Sequence, residues 1–383
     1  MKKTEIKILF VTNIISPYRI PLFNKLHEVG AFKLKVVALA EKEKNREWQL
    51  ARNQIRFNYQ ILPGWHTFLW SKELPIHLNW GLWRALRRYD PDVIISSGYD
   101  ALAYWEAFLY SKVFKKKFIL WNGTTLLSTR TTGGFIGQVK RFIIRGADRY
   151  VAYGTKAAEY LESLGAPKDR IHIGINTVDM QWFRDRTREI RAEAKYELWR
   201  SHYPSVLVLF VGQLIPRKGL EQLLYALSKL RDPDIGLMVV GSGPEERSLQ
   251  GLCEELGVQN VYWKGFHQQN ELPYYYSLSD GLVLPSTEEV WGLVVNEALA
   301  SGLYVLCSNR AGAAYDLIKE GWNGRTFNPR DVDQLAGLIR ETKEQIKEIR
   351  ARREAISEYA CREFSIERSA KAFLVAIRAV TEK

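Results

Sequence analysis

One pattern constrains this chain more than any other: short apolar, β-branched runs alternate with helical segments along nearly its whole length, and the alternation restarts once. The first series reads "IKILFVTN", "LKVVALA", "DVIISSG", "KFILWNG", "RYVAYG" and a short "IHIGIN"; the second reads "SVLVLFVGQ", "IGLMVVGSG", "VYWKGF", "GLVLPS" and "YVLCSN". The runs are apolar almost throughout instead of at every second residue, which marks strands buried on both faces in parallel sheets covered by helices. An α/β chain with two Rossmann-like, doubly wound parallel-sheet domains follows, with ligands expected beyond the carboxyl ends of the strands and in a cleft between the domains. The charged helical stretch "TVDMQWFRDRTREIRAEAKYELWRSHYP" separates the two series and places the boundary near residues 180–203. We divide the chain into 1–185, 186–365 and 366–383. The last is a helix whose Ala370, Phe373, Leu374 and Ile377 form one stripe, expected to pack back on the first domain.

Composition narrows the function classes. With 383 residues, 46% hydrophobic and 26% charged, the chain supports two cores. The start, "MKKTEIKILFVTNII", has lysines before an apolar run, but the run is strand-like and lacks a small-residue cleavage site, so a cytoplasmic protein is expected. No stretch approaches the roughly 20 apolar residues of a membrane span. Cys253, Cys307 and Cys361 stand far apart with no C-x-x-C spacing, so they read as structural thiols. A net charge of +12 favours polyanionic or phosphorylated partners, yet the basic residues are dispersed and no common nucleic-acid motif appears, so no nucleic acid is expected as a partner.

The chemistry concentrates in "STEEVWGLVVNEALASG". Here a buried strand, "GLVLPS", leads into a loop, "TEEVWG", and then a helix, "LVVNEALASG". The free N–H groups and positive dipole end of that helix, with Gly292 permitting close backbone approach, suit an anion such as a diphosphate. Glu289 in the loop and Glu297 in the helix could accept hydrogen bonds from sugar hydroxyls. In "GQLIPRKG", read as following a strand and opening a helix, Arg217 and Lys218 are placed to meet phosphate charge. "VVGSGPEE" lacks the third glycine of a dinucleotide fingerprint, so Gly241 and Gly243 are read as shaping a turn near the ligand.

The E-x7-E spacing between "VLPS" and "EALASG" resembles retaining glycosyltransferases of family 4. So do "FVGQLIPRKGLEQLLYAL", "VVGSGPEERSL", "VYWKGFHQQNELPYYYSLSDGLVLPS" and "NGRTFNP", in the family's order, and more loosely "FVTNIISPYRIPLFNKL" in the first half. The resemblance implies a GT-B fold, with the nucleotide sugar held mainly by the second domain and the acceptor mainly by the first. It implies that Glu289 bonds donor-sugar hydroxyls and Glu297 the ribose. Backbone at Trp291, Gly292 and Leu293, with Gly212 and Gln213, would approach sugar and phosphates, and Lys264 and Phe266 of "WKGFHQQNEL" would lie at the base. Two positions depart from the family. Gln213 stands where arginine is usual, leaving one phosphate cation to be supplied by Arg217 or Lys218. Trp121, Asn122 and Gly123 stand where a donor-contacting histidine is common, so that role does not transfer; Asn122 as a sugar contact and Asn122 as a turn former are equally open. Arg19, in "NIISPYRIP", is a candidate acceptor or phosphate contact.

Three D-x-D triads, at Asp90 and Asp92, Asp232 and Asp234, and Asp331 and Asp333, invite a metal-bound diphosphate. Two of them precede strands, on the end of the sheet away from the ligand, so no metal and no cofactor beyond the nucleotide sugar as substrate is expected. "GFIGQVKRFIIRG" interleaves Phe135, Ile136, Val139, Phe142 and Ile143 with Lys140, Arg141 and Arg145, and is a candidate contact with an anionic membrane; a buried apolar face is the competing reading. The expectation is a metal-independent retaining hexosyltransferase using a nucleotide diphosphate sugar, UDP- favoured over GDP-. Its acceptor would be a glycan or lipid-linked glycan of cell-envelope polysaccharide assembly, at the inner face of the membrane. A GT-B nucleotide-sugar epimerase and a non-catalytic nucleotide-sugar-binding protein are the alternatives.

Overall fold

The computed structural model describes residues 5–43, 48, 50–69, 74–129 and 134–382. The chain forms two compact units, residues 1–176 with 366–383 and residues 177–365.

The first unit is built on strands β1 (Lys7–Thr12), β2 (Lys33–Ala38), β3 (Asn58–Ile61), β6 (Val93–Ser96), β7 (Lys117–Asn122), β8 (Arg149–Ala152) and β9 (Ile171–Ile173). They form one parallel sheet in the order β3-β2-β1-β6-β7-β8-β9, with an antiparallel hairpin, β4 (Gly64–Leu69) and β5 (Leu74–Asn79), inserted between β3 and β6. The apolar run "ILFV" becomes the central strand because Ile8, Leu9, Phe10 and Val11 are all withdrawn from solvent, as a strand with helices over both faces requires. The last helix, Ile366–Thr381, belongs to this unit: Phe373 meets Phe10 and Trp121 at ring-centroid distances of 6.0 and 5.3 Å, and Ala370 and Ile377 are buried beside it.

The second unit holds β10 (Val206–Val211), β11 (Ile235–Val240), β12 (Val261–Trp263), β13 (Gly281–Leu284), β14 (Tyr304–Ser308) and β15 (Gly324–Phe327), parallel in the order β12-β11-β10-β13-β14-β15. Counted within the unit this is 3-2-1-4-5-6, the doubly wound order with its switch point between β10 and β13. Leu223, Leu224 and Leu227 of helix Leu220–Leu230 close one face of the sheet against Leu237 and Val239.

Two features differ from expectation. The units divide at 176/177, ahead of the expected 185/186, because helix Met180–Arg191 caps itself on Asp179 and packs Phe183 against Tyr276 of the second unit at 6.0 Å. Strands β3, β4, β5 and β15 were absent from the sequence reading. β3 and β15 are half-exposed edge strands whose sequences, NYQI and GRTF, carry too little apolar signal to stand out.

Candidate active site

In the second unit the chain leaves β10 and β13 toward opposite sides of the sheet, so their carboxyl ends flank an opening at the switch point. Two loops, 212–219 and 285–292, fill its rims and are strapped together: the Thr287 N–H and hydroxyl both donate to the Arg217 carbonyl, at 2.8 and 3.3 Å. The second loop is pinned from behind by a bridge between Glu289 and Ala311 and by the Ala313 N–H donating to the Trp291 carbonyl at 3.0 Å.

Across this junction Lys218 and Glu289 form an ion pair, with only 16% and 12% of their side chains exposed. Poor solvation makes each charge depend on the other, and the pair sits where strand ends and loop amides converge. An ammonium has three donors and a carboxylate two oxygens, so the pair can take up a phosphate oxygen on one side and a sugar hydroxyl on the other. The buried Cys307 thiol behind it is pushed up by desolvation and by the Glu289 charge.

Lys218 and Arg217 do not open a helix, as the sequence suggested. They lie in a separate 3-10 turn, Pro216–Lys218, and helix Leu220–Leu230 starts only after Gly219. The turn draws Lys218 back over the end of β10 toward Glu289.

Gly292 adopts φ 97°, and a Cβ there would stand 2.8 Å from Leu284 Cδ2, so only glycine allows the chain to turn sharply into helix Leu293–Ala300. Gly292, at the N-cap position, has no side chain with which to cap this helix, whose leading N–H groups and positive dipole end lie beside the loop. Trp291 is buried, its Nε1–H donating to Asn296 at 3.0 Å, so its side chain supports the loop. Glu297 is 0% exposed and accepts a hydrogen bond from the Tyr276 hydroxyl at 2.5 Å. The carboxylate is thus enclosed with Tyr276 in the interior of the unit.

The loops after β10, β11 and β12 are zipped edge to edge. Leu214 N–H donates to Ser242 at 2.8 Å and Gly241 N–H to Gly265 at 2.8 Å. A Cβ on Gly241 would fall 1.8 Å from the Gly212 carbonyl oxygen, and one on Gly243 2.3 Å from that of Leu214. These glycines hold Gly212 and Gln213 in place by permitting backbone contact, which needs no third glycine. The Lys264 N–H donates to the Val239 carbonyl at 2.9 Å, and its ammonium lies 5.3 Å from the centre of the Tyr203 ring. Phe266 keeps an exposed ring.

In the first unit, the Arg19 guanidinium lies 4.0 Å from the centre of the Trp121 ring and donates to the Tyr153 hydroxyl at 2.5 Å, beyond the carboxyl ends of β1, β7 and β8. Asn122 is buried, and its side-chain amide donates to the Thr124 carbonyl at 3.0 Å. This is the turn-forming role; the sugar contact is not displayed. The D-x-D carboxylates are engaged locally. Asp90 pairs with Lys116 at 2.7 Å, Asp232 and Asp234 both meet Lys343, and Asp331 caps helix Val332–Glu344. Sequence reading did not single out Thr287 or Tyr276. Thr287 lay inside the quoted "STEEVWG" stretch, whereas no spacing marks which tyrosine of "YYYSL" meets Glu297.

Residues 200–362 match the family model for glycosyl transferases group 1. The second unit is a group 1 glycosyl transferase domain. Sulfoquinovosyl transferase SQD2 of Arabidopsis thaliana is 32% identical over 207 residues, 53% of this chain and 39% of that protein. A GDP-mannose-dependent alpha-(1-6)-phosphatidylinositol monomannoside mannosyltransferase of Mycolicibacterium smegmatis is 33% identical over 144 residues, 35% of this chain and 37% of that protein. The chain thus spans under two fifths of the length of these two relatives. The crystal structure of Anabaena Alr3699/HepE in complex with UDP matches with a TM-score of 0.75 and 17% identity, over 98% of this chain and 100% of that one. That likeness extends the assignment of fold beyond the group 1 domain: the chain has the GT-B fold, two Rossmann-like domains.

Proposed function

We propose that this chain is a retaining, metal-independent hexosyltransferase that moves a sugar from a nucleotide diphosphate donor to a glycan or lipid-linked acceptor in cell-envelope polysaccharide assembly, at the inner face of the membrane. The observation that carries the reading is the Lys218–Glu289 pair at the switch point of the group 1 domain, beside the glycine-led start of helix Leu293–Ala300. In this reading Lys218, with Arg217, neutralises the diphosphate, and Glu289 orients the sugar through its hydroxyls. The bond from the anomeric carbon to the phosphate oxygen breaks as the acceptor oxygen attacks from the same face. The departing diphosphate oxygen takes the acceptor proton, so no side-chain base is required and the protein supplies orientation and charge stabilisation. The UDP complex of the Anabaena structure supports a uridine donor, and the GDP-mannose-dependent relative makes the guanosine donor its competitor.

The direct experiment is donor consumption with UDP- and GDP-sugars, followed by assignment of the anomeric configuration of the product by NMR. Product of inverted configuration, or no turnover with any donor, sinks the reading. Turnover is expected to persist in EDTA, because the D-x-D carboxylates are occupied by lysines and a helix cap; activity lost on chelation and restored by manganese would overturn metal independence.

Lys218→Ala and Arg217→Ala are each expected to weaken nucleoside diphosphate binding by about 1.5–3 kcal/mol, the range for a hydrogen bond to a charged group, with a smaller effect on the monophosphate. Gln213→Arg should be tolerated and tighten diphosphate binding. Titration calorimetry with both nucleotides checks this; an Arg217→Ala variant that binds both as the parent does removes Arg217 from the site.

A further inference from the structure

The hairpin β4–β5 turns large apolar side chains toward water as well as toward the interior. Its register sets Trp65 opposite Leu78 and Thr67 opposite Ile76 on one face, and His66 opposite His77 on the other. The inward face holds the histidines together with Phe68, which is buried opposite Pro75: His77 is buried, its Nδ1 3.1 Å from that of His66, and it stands 3.5 Å from the buried Glu43. The opposite face is turned out, with Trp65 56% exposed and Leu69 and Leu78 also exposed. A hairpin whose outer face meets only water carries polar residues there.

The exposed apolar surface continues from the hairpin. Trp80, which closes the hairpin by donating its N–H to Pro63, is 59% exposed, and Trp83 follows on helix Leu82–Tyr89. Trp83 packs edge-on against Tyr110 and Phe114 at the end of helix Leu102–Val113. That helix, which also touches β5, exposes Leu102, Leu109 and Val113 on one stripe, Val113 to 64%. Glu106 is the carboxylate on the same stripe, and burial raises it above its usual range. Helix Gly134–Gly146 adds exposed Phe142, 5.7 Å from Phe108. Of the other described residues of that stripe, Ile143 is buried in the unit and Val139 is half-buried, which is the competing reading of a buried apolar face. The side chains of Phe135 and Ile136 lie outside the described residues.

Basic residues border this surface. Arg84, Arg87 and Arg88 are exposed on the helix of Trp83, Arg87 lying 5.7 Å from the Phe114 ring, and Lys112, Lys115 and Arg145 are exposed beside them. Asp90, the exposed acid at the end of that helix, is neutralised by Lys116 at 2.7 Å. Tryptophans among aliphatic residues, ringed by arginine and lysine, match the layering of a bilayer interface, where indoles sit at headgroup depth and cations meet anionic headgroups.

We infer that hairpin β4–β5, with the exposed faces of helices Leu82–Tyr89 and Leu102–Val113, is a docking surface for an anionic lipid bilayer, anchored by Trp65, Trp80 and Val113. The inference stands on the first unit alone and does not require the chain to be a transferase. The full chain is incubated with vesicles of phosphatidylglycerol mixed with phosphatidylcholine, or of phosphatidylcholine alone, and sedimented. The parent should sediment with the anionic vesicles, less so at high salt, and scarcely with the neutral ones. Trp65→Ser combined with Trp80→Ser should cut anionic binding by about tenfold or more at an unchanged thermal midpoint, since both side chains are solvent-facing. Leu109→Ser with Val113→Ser is a second variant that probes the same face from the helix. Binding by both variants equal to the parent's overturns the inference, as does a parent that ignores anionic vesicles. A parent that is dimeric by light scattering and becomes monomeric in the tryptophan variant would show instead that the face meets a second copy. Vesicle binding by a chain without detectable donor turnover would leave this inference standing and defeat the functional one.

Discussion

Glu289→Gln is expected to abolish sugar transfer, a loss of about 100- to 1000-fold in kcat, of the order seen when one preorganised charge-stabilising group is removed. Nucleotide binding should stay close to the parent's. The amide keeps the shape of the carboxylate and can still accept a hydrogen bond from Lys218, so the loops 212–219 and 285–292 keep their strapping. What disappears is the negative charge paired with Lys218, which in the proposed role also holds the sugar hydroxyls. Glu297→Ala should behave differently. Its carboxylate is buried on Tyr276, and the substitution leaves that hydroxyl without its acceptor at the base of helix Leu293–Ala300, so the folded state and nucleotide affinity should both weaken. Calorimetry with free nucleotide, beside thermal melting and turnover, separates the two variants. Equal loss of nucleotide affinity in both would defeat the assignment of Glu289 to the sugar.

The largest effect on stability is expected at Asp280, just ahead of β13 and far from the loops that carry the chemistry. Its carboxylate is fully buried and accepts from Arg350 Nε at 2.8 Å, Arg353 Nη2 at 2.5 Å, Arg200 Nη2 at 3.1 Å and the Leu207 N–H at 3.0 Å. It therefore joins helices Tyr196–Arg200, Ile346–Ala351 and Arg353–Glu363 to the amino edge of the second sheet. Asp280→Ala leaves three guanidinium groups around an empty place and should cost about 3–5 kcal/mol, the range for breaking a buried ion pair from one side. Burial by itself would raise the Asp280 carboxyl, but the Arg350 hydrogen bond and the charges of Arg353 and Arg350 outweigh it and hold the group below its usual range. A carboxylate lowered in the folded state contributes its stability above the unfolded value, near pH 4, and loses it as pH falls through the folded value. Urea unfolding of the parent and of Asp280→Asn should therefore show a gap in midpoint that is constant near neutrality and narrows below about pH 4. A gap that does not change down to pH 3 would show that the charge of Asp280 contributes nothing.

The pattern of apolar runs located the principal strands of both sheets, since a strand covered on both faces must be apolar at every position and that demand is local. The same locality explains the omissions. NYQI and GRTF form edge strands with one side in solvent, and β4–β5 exposes Trp65, Leu69 and Leu78, so none of these segments shows the signature of a strand buried on both faces.

The sequence by itself also marked the loops proposed to carry the chemistry: "GQLIPRKG" and "STEEVWG" follow strand ends, and glycines stand where backbone must turn or touch backbone, as at Gly292 and Gly241. The tertiary structure alone decided what these residues meet. Lys218 and Glu289 are separated by the whole of β11, β12 and their helices, and they pair only because sheet order makes β10 and β13 neighbours. Spacing along the chain holds no information on that order. The inward turn of Glu297, the stacking of Lys264 on Tyr203, the turn role of Asn122 and the enclosure of Asp280 have the same origin. A side chain's periodic position says which face of its element it occupies, while the partner on that face is chosen by packing against segments remote in sequence.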